Sequence, residues 1–134
     1  MKIEAVDLFC GIGGLSYGLK QAGIKIQAGI DLDPKSQFPF EANNRAQFIH
    51  RSVTEVSGEE ITQLYSSNSI RLLAGCAPCQ PFSRYSQGPK GRSDDQWKLL
   101  GEFARLIRES GPELVTMENV PNLASHEVFK DFVS

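Results

Sequence analysis

The sequence predicts an α/β fold with a doubly wound, mostly parallel sheet. Short apolar segments of strand composition alternate with segments whose apolar residues recur at helical spacing. Strands that are separated by helices pair in parallel and carry helices on both faces of the sheet. Ligands of such sheets bind at the carboxyl ends of the strands, near the point where the strand order reverses.

The first half of the chain contains three predicted strands. Residues 3–9 form a short apolar run that ends in glycines, which is typical of a buried strand. Residues 15–22 place apolar side chains on one helical face, and Gly23 follows where a left-handed helix cap is expected. Residues 24–30 predict the second strand, which ends at Asp31.

The next elements are short. Pro34 suits the start of a helix, but Pro39 would break a helix interior, so a short or kinked helix is expected. Residues 48–49 predict a brief third strand. Ser57 and Glu60 form a capping box before apolar residues at helical spacing.

The second half predicts two more strands and a long loop. Residues 70–75 are a fourth apolar strand, and residues 76–94 contain Pro, Gly, Ser and Gln without an apolar period. Long loops in compact domains are usually functional or disordered. A helix is expected from Asp95 to the Gly-Pro pair at 111–112, and residues 114–117 predict the fifth strand.

Composition excludes several classes of protein. The 134 residues fit one domain, and the 40% hydrophobic content excludes wholesale disorder. The net charge of −2 argues against nucleic-acid binding by bulk electrostatics, so any such contact must be local. No apolar run is long enough for a membrane helix, and no signal peptide is visible, so a cytoplasmic protein is expected. Three cysteines without an export signal make a disulfide framework improbable.

A glycine-rich turn follows the first strand and an acid follows the second. Gly11, Gly13 and Gly14 let the backbone approach a ligand closely, although a tight turn alone also needs such glycines. Asp31 is placed to accept hydrogen bonds from ribose hydroxyls. The dinucleotide fingerprint fails because Ser16 occupies its third glycine position. The pattern favours an adenosine-containing cofactor without a diphosphate.

The pair Cys76 and Cys79 allows three interpretations. A zinc site needs about four ligands, and the chain offers few candidates besides its three cysteines. A C-x-x-C redox pair is the second interpretation. The third is a nucleophile at Cys79, with Glu118, which follows the neighbouring strand, handling protons. A polar strand terminus is the structural alternative for Glu118.

The loop after Cys79 is basic. Between residues 81 and 93 it contains Arg84, Lys90 and Arg92 and no acid. Such a loop is usually a solvated surface, but beside a nucleophile it could contact phosphates. Four further residues without identifiable partners are interpreted as structural: His50, His126, Trp97 and Cys10.

Three segments together resemble one family. DLFCGIGGL at 7–15, GCAPCQPFS at 75–83 and MENV at 117–120 are similar, in order and spacing, to motifs of the cytosine-5 DNA methyltransferases. The resemblance spans essentially the whole chain. It implies a Rossmann-like methyltransferase fold, S-adenosylmethionine as methyl donor and S-adenosylhomocysteine as product. The cofactor pocket it implies consists of Phe9, Gly11, Gly13, Gly14, Asp31, Leu32, Ser52, Val53 and Leu99.

The resemblance also implies the reaction. Cys79 would add to a flipped-out cytosine of double-stranded DNA and Glu118 would assist, as in the methylases of restriction-modification systems. The basic loop would contact DNA through Ser83, Arg84, Lys90 and Arg92. The alternatives are a transfer-RNA cytosine-5 methyltransferase, a thiol-disulfide oxidoreductase using both cysteines, and a non-catalytic binding partner.

The sequence departs from the family in two places. Ser52 and Val53 stand where relatives usually have an acid that contacts the adenine amino group, and Pro39 stands where relatives continue a helix. Residues 1–134 are expected to be the N-terminal cofactor-binding and catalytic part, without a target-recognition region and inactive alone. A second chain or a C-terminal part would complete the enzyme, and the exposed edge of the fifth strand would favour self-association. In a bacterium the protein would be associated with the nucleoid.

Overall fold

The computed structural model describes residues 2–77 and 94–118, with residues 94–97 described by their backbone. Five strands lie in these ranges: β1 (Ile3–Leu8), β2 (Lys25–Asp31), β3 (Gln47–His50), β4 (Ile70–Gly75) and β5 (Leu114–Met117). Four α-helices lie in the same ranges: α1 (Gly14–Gln21), α2 (Gln37–Asn44), α3 (Gly58–Gln63) and α4 (Asp94–Ser110). None of these helices has the length and apolar character that crossing a membrane requires.

The five described strands form one parallel sheet in the order β3-β2-β1-β4-β5. The chain builds the sheet outward from β1 to β3, crosses back over β1, and then adds β4 and β5 on the other side. The strand order therefore reverses between β1 and β4, and the carboxyl ends of all five strands lie at one edge. The predicted doubly wound α/β fold is confirmed.

Helices cover both faces of the sheet, and β1 contributes to the core on each side. Alternate residues of a strand face opposite sides. On one face, side chains of α1 and α2 pack with those of the sheet, including Ala5, Ile26, Phe40, Phe48 and Leu72. On the other face, side chains of α3 and α4 pack with those of the sheet, including Val6, Leu8, Ile61, Leu73, Phe103 and Leu106.

The segment after β2 has the short helix that its two prolines predict. Pro34 begins a 3₁₀ turn, Pro34–Ser36, and Asp33 caps that turn by accepting a hydrogen bond from Lys35 N at 3.0 Å. α2 follows directly and contains eight residues. Pro39 is the third of them, where a backbone N–H would have no acceptor inside the helix. The two prolines are therefore accommodated by a 3₁₀ turn that is joined to a short helix.

The start of α3 has the predicted capping box. Ser57 Oγ accepts a hydrogen bond from Glu60 N at 3.1 Å, and the Glu60 carboxylate accepts one from Ser57 N at 3.3 Å. Just before it lies a 3₁₀ turn, Val53–Glu55, that the sequence did not predict. A turn of three residues is too short to show a hydrophobic period.

β5 lies at an edge of the described sheet. Its residues Leu114 and Val115 are 44% and 43% exposed. An exposed apolar strand at a sheet edge offers unpaired backbone groups to another strand. The predicted association through this edge stays a prediction.

Gly75, the last residue of β4, allows a test of how closely α4 packs on the sheet. A Cβ at Gly75 would overlap the ring of Phe103, which is fully buried. Gly75→Ala is therefore expected to lower the free energy of unfolding by about 1–3 kcal/mol through overpacking. Urea unfolding followed by circular dichroism measures this change.

Gly101→Ala is the matched control. A Cβ at Gly101 would have open space, since no side chain and no other part of the described chain lies within 4 Å of it. Alanine favours a helix interior over glycine by up to about 1 kcal/mol, so this variant should be slightly more stable than the wild type. An unchanged unfolding midpoint for Gly75→Ala would contradict the packing of Phe103 against β4.

Candidate cofactor and catalytic site

The turn between β1 and α1 lies at the carboxyl edge of the sheet and has positive backbone angles. Phe9, Gly11 and Gly13 have φ values of 54°, 52° and 91°. Glycine adopts such angles readily, whereas they strain phenylalanine. A hydrogen bond from Cys10 N to Ile30 O at 3.1 Å holds the turn against β2, and one from Gly13 N to Cys10 O at 2.9 Å closes the turn itself. The predicted glycine turn is present, and it holds Phe9 in an unusual conformation.

α2 leaves no room for a side chain at Gly13. A Cβ there would overlap the Asn44 amide and the Phe40 ring. Asn44 Nδ2 donates to Phe40 O at 3.1 Å and to Gly13 O at 3.4 Å. At Gly11 and Gly14 a Cβ would have open space, so Gly11 is required for its backbone angle. The turn therefore presents bare backbone at the start of α1.

Asp31 joins the end of β2 to the glycine turn. Its Oδ2 accepts a hydrogen bond from Gly11 N at 2.9 Å, and its Oδ1 accepts one from Asp33 N at 2.8 Å. The side chain is half-buried. Each carboxylate oxygen can accept a second hydrogen bond, so Asp31 keeps acceptor capacity for a ligand hydroxyl. The structure thus brings Gly11 and Asp31 together, as predicted for one site.

Asp7 is a candidate site residue that sequence reasoning missed. It is fully buried in β1, and its Oδ2 accepts a hydrogen bond from Ser16 Oγ at 2.6 Å. Its Oδ1 is buried and has no hydrogen-bond partner among the described residues. Burial raises the pKa of Asp7 to about 6, and the nearby carboxylates of Glu118 and Asp31 add to the rise, while the Ser16 hydrogen bond opposes it. The available signal was an acid near the carboxyl end of a strand, although β1 also contains a second buried acid, Glu4.

Cys10 and His50 were interpreted as structural residues, and each has a contact in the described part of the fold. Cys10 is 8% exposed and packs in the core beside Phe40, and burial raises the pKa of its thiol. A buried, protonated thiol is a poor nucleophile. The His50 ring forms a hydrogen bond of 2.9 Å with Leu32 O at the protein surface. The other two residues interpreted as structural, His126 and the Trp97 side chain, lie outside the described residues.

The other predicted pocket residues differ in exposure. Leu32 follows Asp31 and is 64% exposed. Ser52 is half-buried, and its hydroxyl caps the 3₁₀ turn by accepting a hydrogen bond from Thr54 N at 3.3 Å. Val53 is 3% exposed and packs in the core, and Leu99 is half-buried on α4. Leu32 therefore offers apolar surface at the edge of the sheet, whereas the side chain of Val53 belongs to the core.

Glu118 lies where β4 and β5 end together. Its backbone N–H donates to Gly75 O at 3.0 Å, which continues the pairing of these strands by one residue. The Glu118 side chain is exposed. Because Cys76 directly follows Gly75, the acid lies beside the strand end from which the chain continues toward Cys79.

The predicted nucleophile and DNA contacts lie outside the described residues: Cys79, Ser83, Arg84, Lys90 and Arg92. Cys76 is described and is exposed. Across 2–77 and 94–118, no group of three or more His, Cys, Asp or Glu side chains could hold a metal ion. The nucleophilic, redox and zinc interpretations of Cys79 all stay hypotheses at this point.

Comparison with known proteins identifies the family. A model described as C-5 cytosine-specific DNA methylase matches residues 3–134. The Type II methylase M.HgiDII of Herpetosiphon aurantiacus is 48% identical over 131 residues, which are 96% of this chain and 36% of that protein. The Type II methyltransferase M.HhaI of Haemophilus parahaemolyticus is 33% identical over 125 residues, which are 93% of this chain and 36% of that protein.

A solved structure of a related protein is also similar to this chain. A putative DNA modification methyltransferase encoded within a prophage (E. coli) has a TM-score of 0.78 and 25% identity, over 98% of this chain and 36% of that chain. The chain thus spans about a third of the length of these relatives. The family model covers all three motif segments as well as the parallel sheet that brings their strand ends together. The chain therefore belongs to the family of C-5 cytosine-specific DNA methylases.

Proposed function

We propose that this chain is the cofactor-binding and catalytic part of an enzyme that transfers a methyl group from S-adenosylmethionine to carbon 5 of cytosine in double-stranded DNA. The observation that carries the proposal is the hydrogen bond from Glu118 N to Gly75 O, which holds an exposed acid beside the end of β4. The chain continues from that strand end to Cys79 four residues later. Family membership supplies the reaction class.

The described residues suit S-adenosylmethionine as cofactor. The bare backbone of the glycine turn allows close approach, and Asp31 keeps acceptor capacity for ribose hydroxyls. Exposed Leu32, next to Asp31, offers apolar surface for the adenine ring. When bound, S-adenosylmethionine supplies a methyl group carried on a positively charged sulfur.

The electrostatics of the site also favour a cationic ligand. The carboxylates of Asp7, Asp31 and Glu118 lie close enough that the latter two raise the pKa of Asp7. Asp7 has one buried oxygen without a partner among the described residues. An unpaired buried charge is costly, and a nearby positive charge reduces that cost. The sulfonium donor is positively charged at sulfur, whereas its thioether product is not.

The chemistry explains why a thiol and an acid are needed together. Carbon 5 of cytosine is a weak nucleophile, so the Cys79 thiolate adds to carbon 6 and turns carbon 5 into an enamine-like carbon. Glu118, in its protonated form, donates a proton at ring nitrogen 3, where negative charge would otherwise collect. Carbon 5 takes the methyl group from the sulfonium, which leaves as the thioether S-adenosylhomocysteine. A base then removes the carbon-5 proton, the Cys79 thiolate leaves carbon 6, and nitrogen 3 returns its proton to Glu118, which restores the neutral ring.

The target base must leave the duplex before Cys79 can reach it. Both faces of a stacked cytosine are covered, so the base is flipped out at a cost of about a few kcal/mol. We infer that the basic loop contacts the phosphates through Ser83, Arg84, Lys90 and Arg92. Residues outside this chain supply target recognition and complete the enzyme. The enzyme works where the DNA is, in the cytoplasm at the nucleoid of a bacterial cell.

Asp31→Asn is expected to weaken binding of S-adenosylhomocysteine by at least about tenfold. An amide provides one acceptor oxygen in place of two, and a hydrogen bond to a charged group contributes about 1.5–3 kcal/mol. Ligand-observed NMR titration of the 134-residue chain measures the affinity. Asp33→Asn is the control, because asparagine caps the 3₁₀ turn as well as aspartate does. Equal affinities for all three proteins would contradict a ribose site at Asp31.

The preference for S-adenosylmethionine over S-adenosylhomocysteine is expected to increase as the pH rises through about 6, the pKa of Asp7. Ionised Asp7 attracts the sulfonium, and both ligands carry the same amino and carboxylate groups, so their affinity ratio isolates this charge. The ratio should grow roughly fivefold between pH 5 and 7.5, which corresponds to about 1 kcal/mol. Asp7→Asn should flatten the profile, and a pH-dependent ratio retained in that variant would refute the assignment.

Cys79→Ser is expected to abolish methyl transfer, whereas Cys76→Ser should retain it. The assay uses this chain extended by the remaining part of the Herpetosiphon relative, labelled cofactor, and DNA or RNA acceptors.

DNA containing 5-fluorocytosine should trap a covalent adduct, because fluorine blocks the final proton loss from carbon 5. Methylation that survives Cys79→Ser would exclude the nucleophilic mechanism, a requirement for both cysteines would favour the redox alternative, and methylation of RNA alone would exclude the DNA assignment.

A further inference from the structure

The segment after β3 is the part of the described chain that lies next to Asp31 on the β3 side of the sheet. Asp31 is paired with His50 at the end of β3, and Arg51 N donates to Asp31 O at 3.2 Å. The glycine turn lies on the other side of Asp31, through Gly11. A nucleoside whose ribose is held by Asp31 therefore places its base toward residues 51–58, called here the β3 segment.

Two arginines bind the backbone carbonyls of the β3 segment. Arg105 Nη2, from α4, donates to Val56 O at 2.8 Å and to Val53 O at 3.2 Å. Arg51 Nη2 donates to Glu55 O at 2.7 Å. The carbonyl groups of Val53, Glu55 and Val56 are thus held by two side chains, one of which belongs to a distant helix.

α4 holds Arg105 in place and contacts the β3 segment a second time. The Glu102 carboxylate accepts a hydrogen bond from Arg105 Nε at 2.5 Å, and Glu109 Oε1 accepts one from Arg105 Nη1 at 3.1 Å. The same Glu109 oxygen accepts a hydrogen bond from Gly58 N at 2.9 Å. A Cβ at Gly58 would overlap Glu109, so α4 packs directly against this end of the segment. The segment is therefore attached to α4 at residues 53, 56 and 58.

The turn of the β3 segment uses the N–H groups of its later residues and not those at its start. Those of Glu55 and Val56 bond to Ser52 O at 3.0 Å and Val53 O at 3.2 Å. Those of Ser52 and Val53 have no hydrogen bond to another residue in the described part of the chain. Purine rings carry nitrogen acceptors at their edges, which backbone N–H donors can recognise.

We propose that Arg105 is a positioning residue that fixes the backbone of the β3 segment for recognition of the adenine base of the cofactor. The proposal rests on the proposed function, because it takes the ligand of Asp31 to be an adenosine. Arg105 acts through the carbonyls of Val53 and Val56 and holds the turn in the one conformation that presents the preceding N–H groups.

Arginine is suited to this role and lysine is not. The planar guanidinium donates to both carbonyls and to two carboxylates at once, whereas an ammonium on a flexible stem has no such fixed geometry. The side chains of Val53 and Val56 are both 3% exposed in the core. These anchors keep the segment on the protein when Arg105 is replaced, so a substitution is expected to loosen the backbone rather than unfold the chain.

The test compares binding of S-adenosylhomocysteine and S-inosylhomocysteine by ligand-observed NMR. The two ligands differ in the base edge, where inosine exchanges a donor for an acceptor and an acceptor for a donor. The wild-type chain should prefer the adenine ligand by about tenfold or more, because reversed hydrogen bonds leave polar groups unpaired. In Arg105→Met this preference should fall to about twofold or less, and Arg105→Lys should give an intermediate value.

Two controls separate positioning from a structural role. Arg108→Met removes an exposed arginine of the same helix and should keep the wild-type preference. Asp31→Asn should weaken the binding of both ligands equally and leave the ratio of their affinities unchanged. If Arg105→Met does not fold, the preference in Arg105→Lys decides the question.

The possible outcomes distinguish this proposal from the proposed function. A wild-type chain that binds neither ligand would contradict the proposed function and this proposal with it. A wild-type chain that binds both ligands equally would overturn this proposal alone. A preference that persists in Arg105→Met and Arg105→Lys, even with weaker binding, would also overturn it.

Discussion

Parallel pairing of β1 with both β2 and β4 is the constraint on which the site depends. A parallel pair needs a crossover connection, so a helix after each of β1, β2, β3 and β4 returns the chain to the starting edge of the sheet. Every strand consequently ends at the same edge. Residues from separate parts of the sequence, such as Gly11, Asp31 and Glu118, therefore lie along one line of strand ends.

Accumulation of carboxylates at this edge has an electrostatic cost. This cost is seen in the pKa of Asp7, which is raised because Asp7 is buried and because Asp31 and Glu118 carry the same sign of charge. Natural cores pair buried charges, and the Ser16 hydroxyl satisfies one of the two oxygens of Asp7. In the proposed reaction, the positive charge of the methyl donor would partly offset the charge on the unpaired oxygen of Asp7.

The short motifs and periodic helices could be predicted from the sequence because their determinants are local. The glycine turn needs positive φ at Gly11 and Gly13, which are only two residues apart in the chain. The capping box needs Ser57 and Glu60 three residues apart. The burial of Asp7 and the 3₁₀ turn Val53–Glu55 were not predicted, since one of the two acids of β1 and a three-residue turn leave no periodic pattern. The proposed nucleophile, Cys79, was predicted from the motif and lies outside the described residues.

The sequence by itself determined the order of strands and helices, the family, and the residue types at each strand end, because these depend on neighbouring residues. Only the tertiary structure decided which distant groups meet. Arg105 reaches the carbonyl of Val53 across 52 residues, and Gly75 lies against Phe103 because α4 packs on β4. Such contacts depend on how a helix lies on the sheet, which is set by the packing of many side chains at once and is not encoded in any single stretch of the chain.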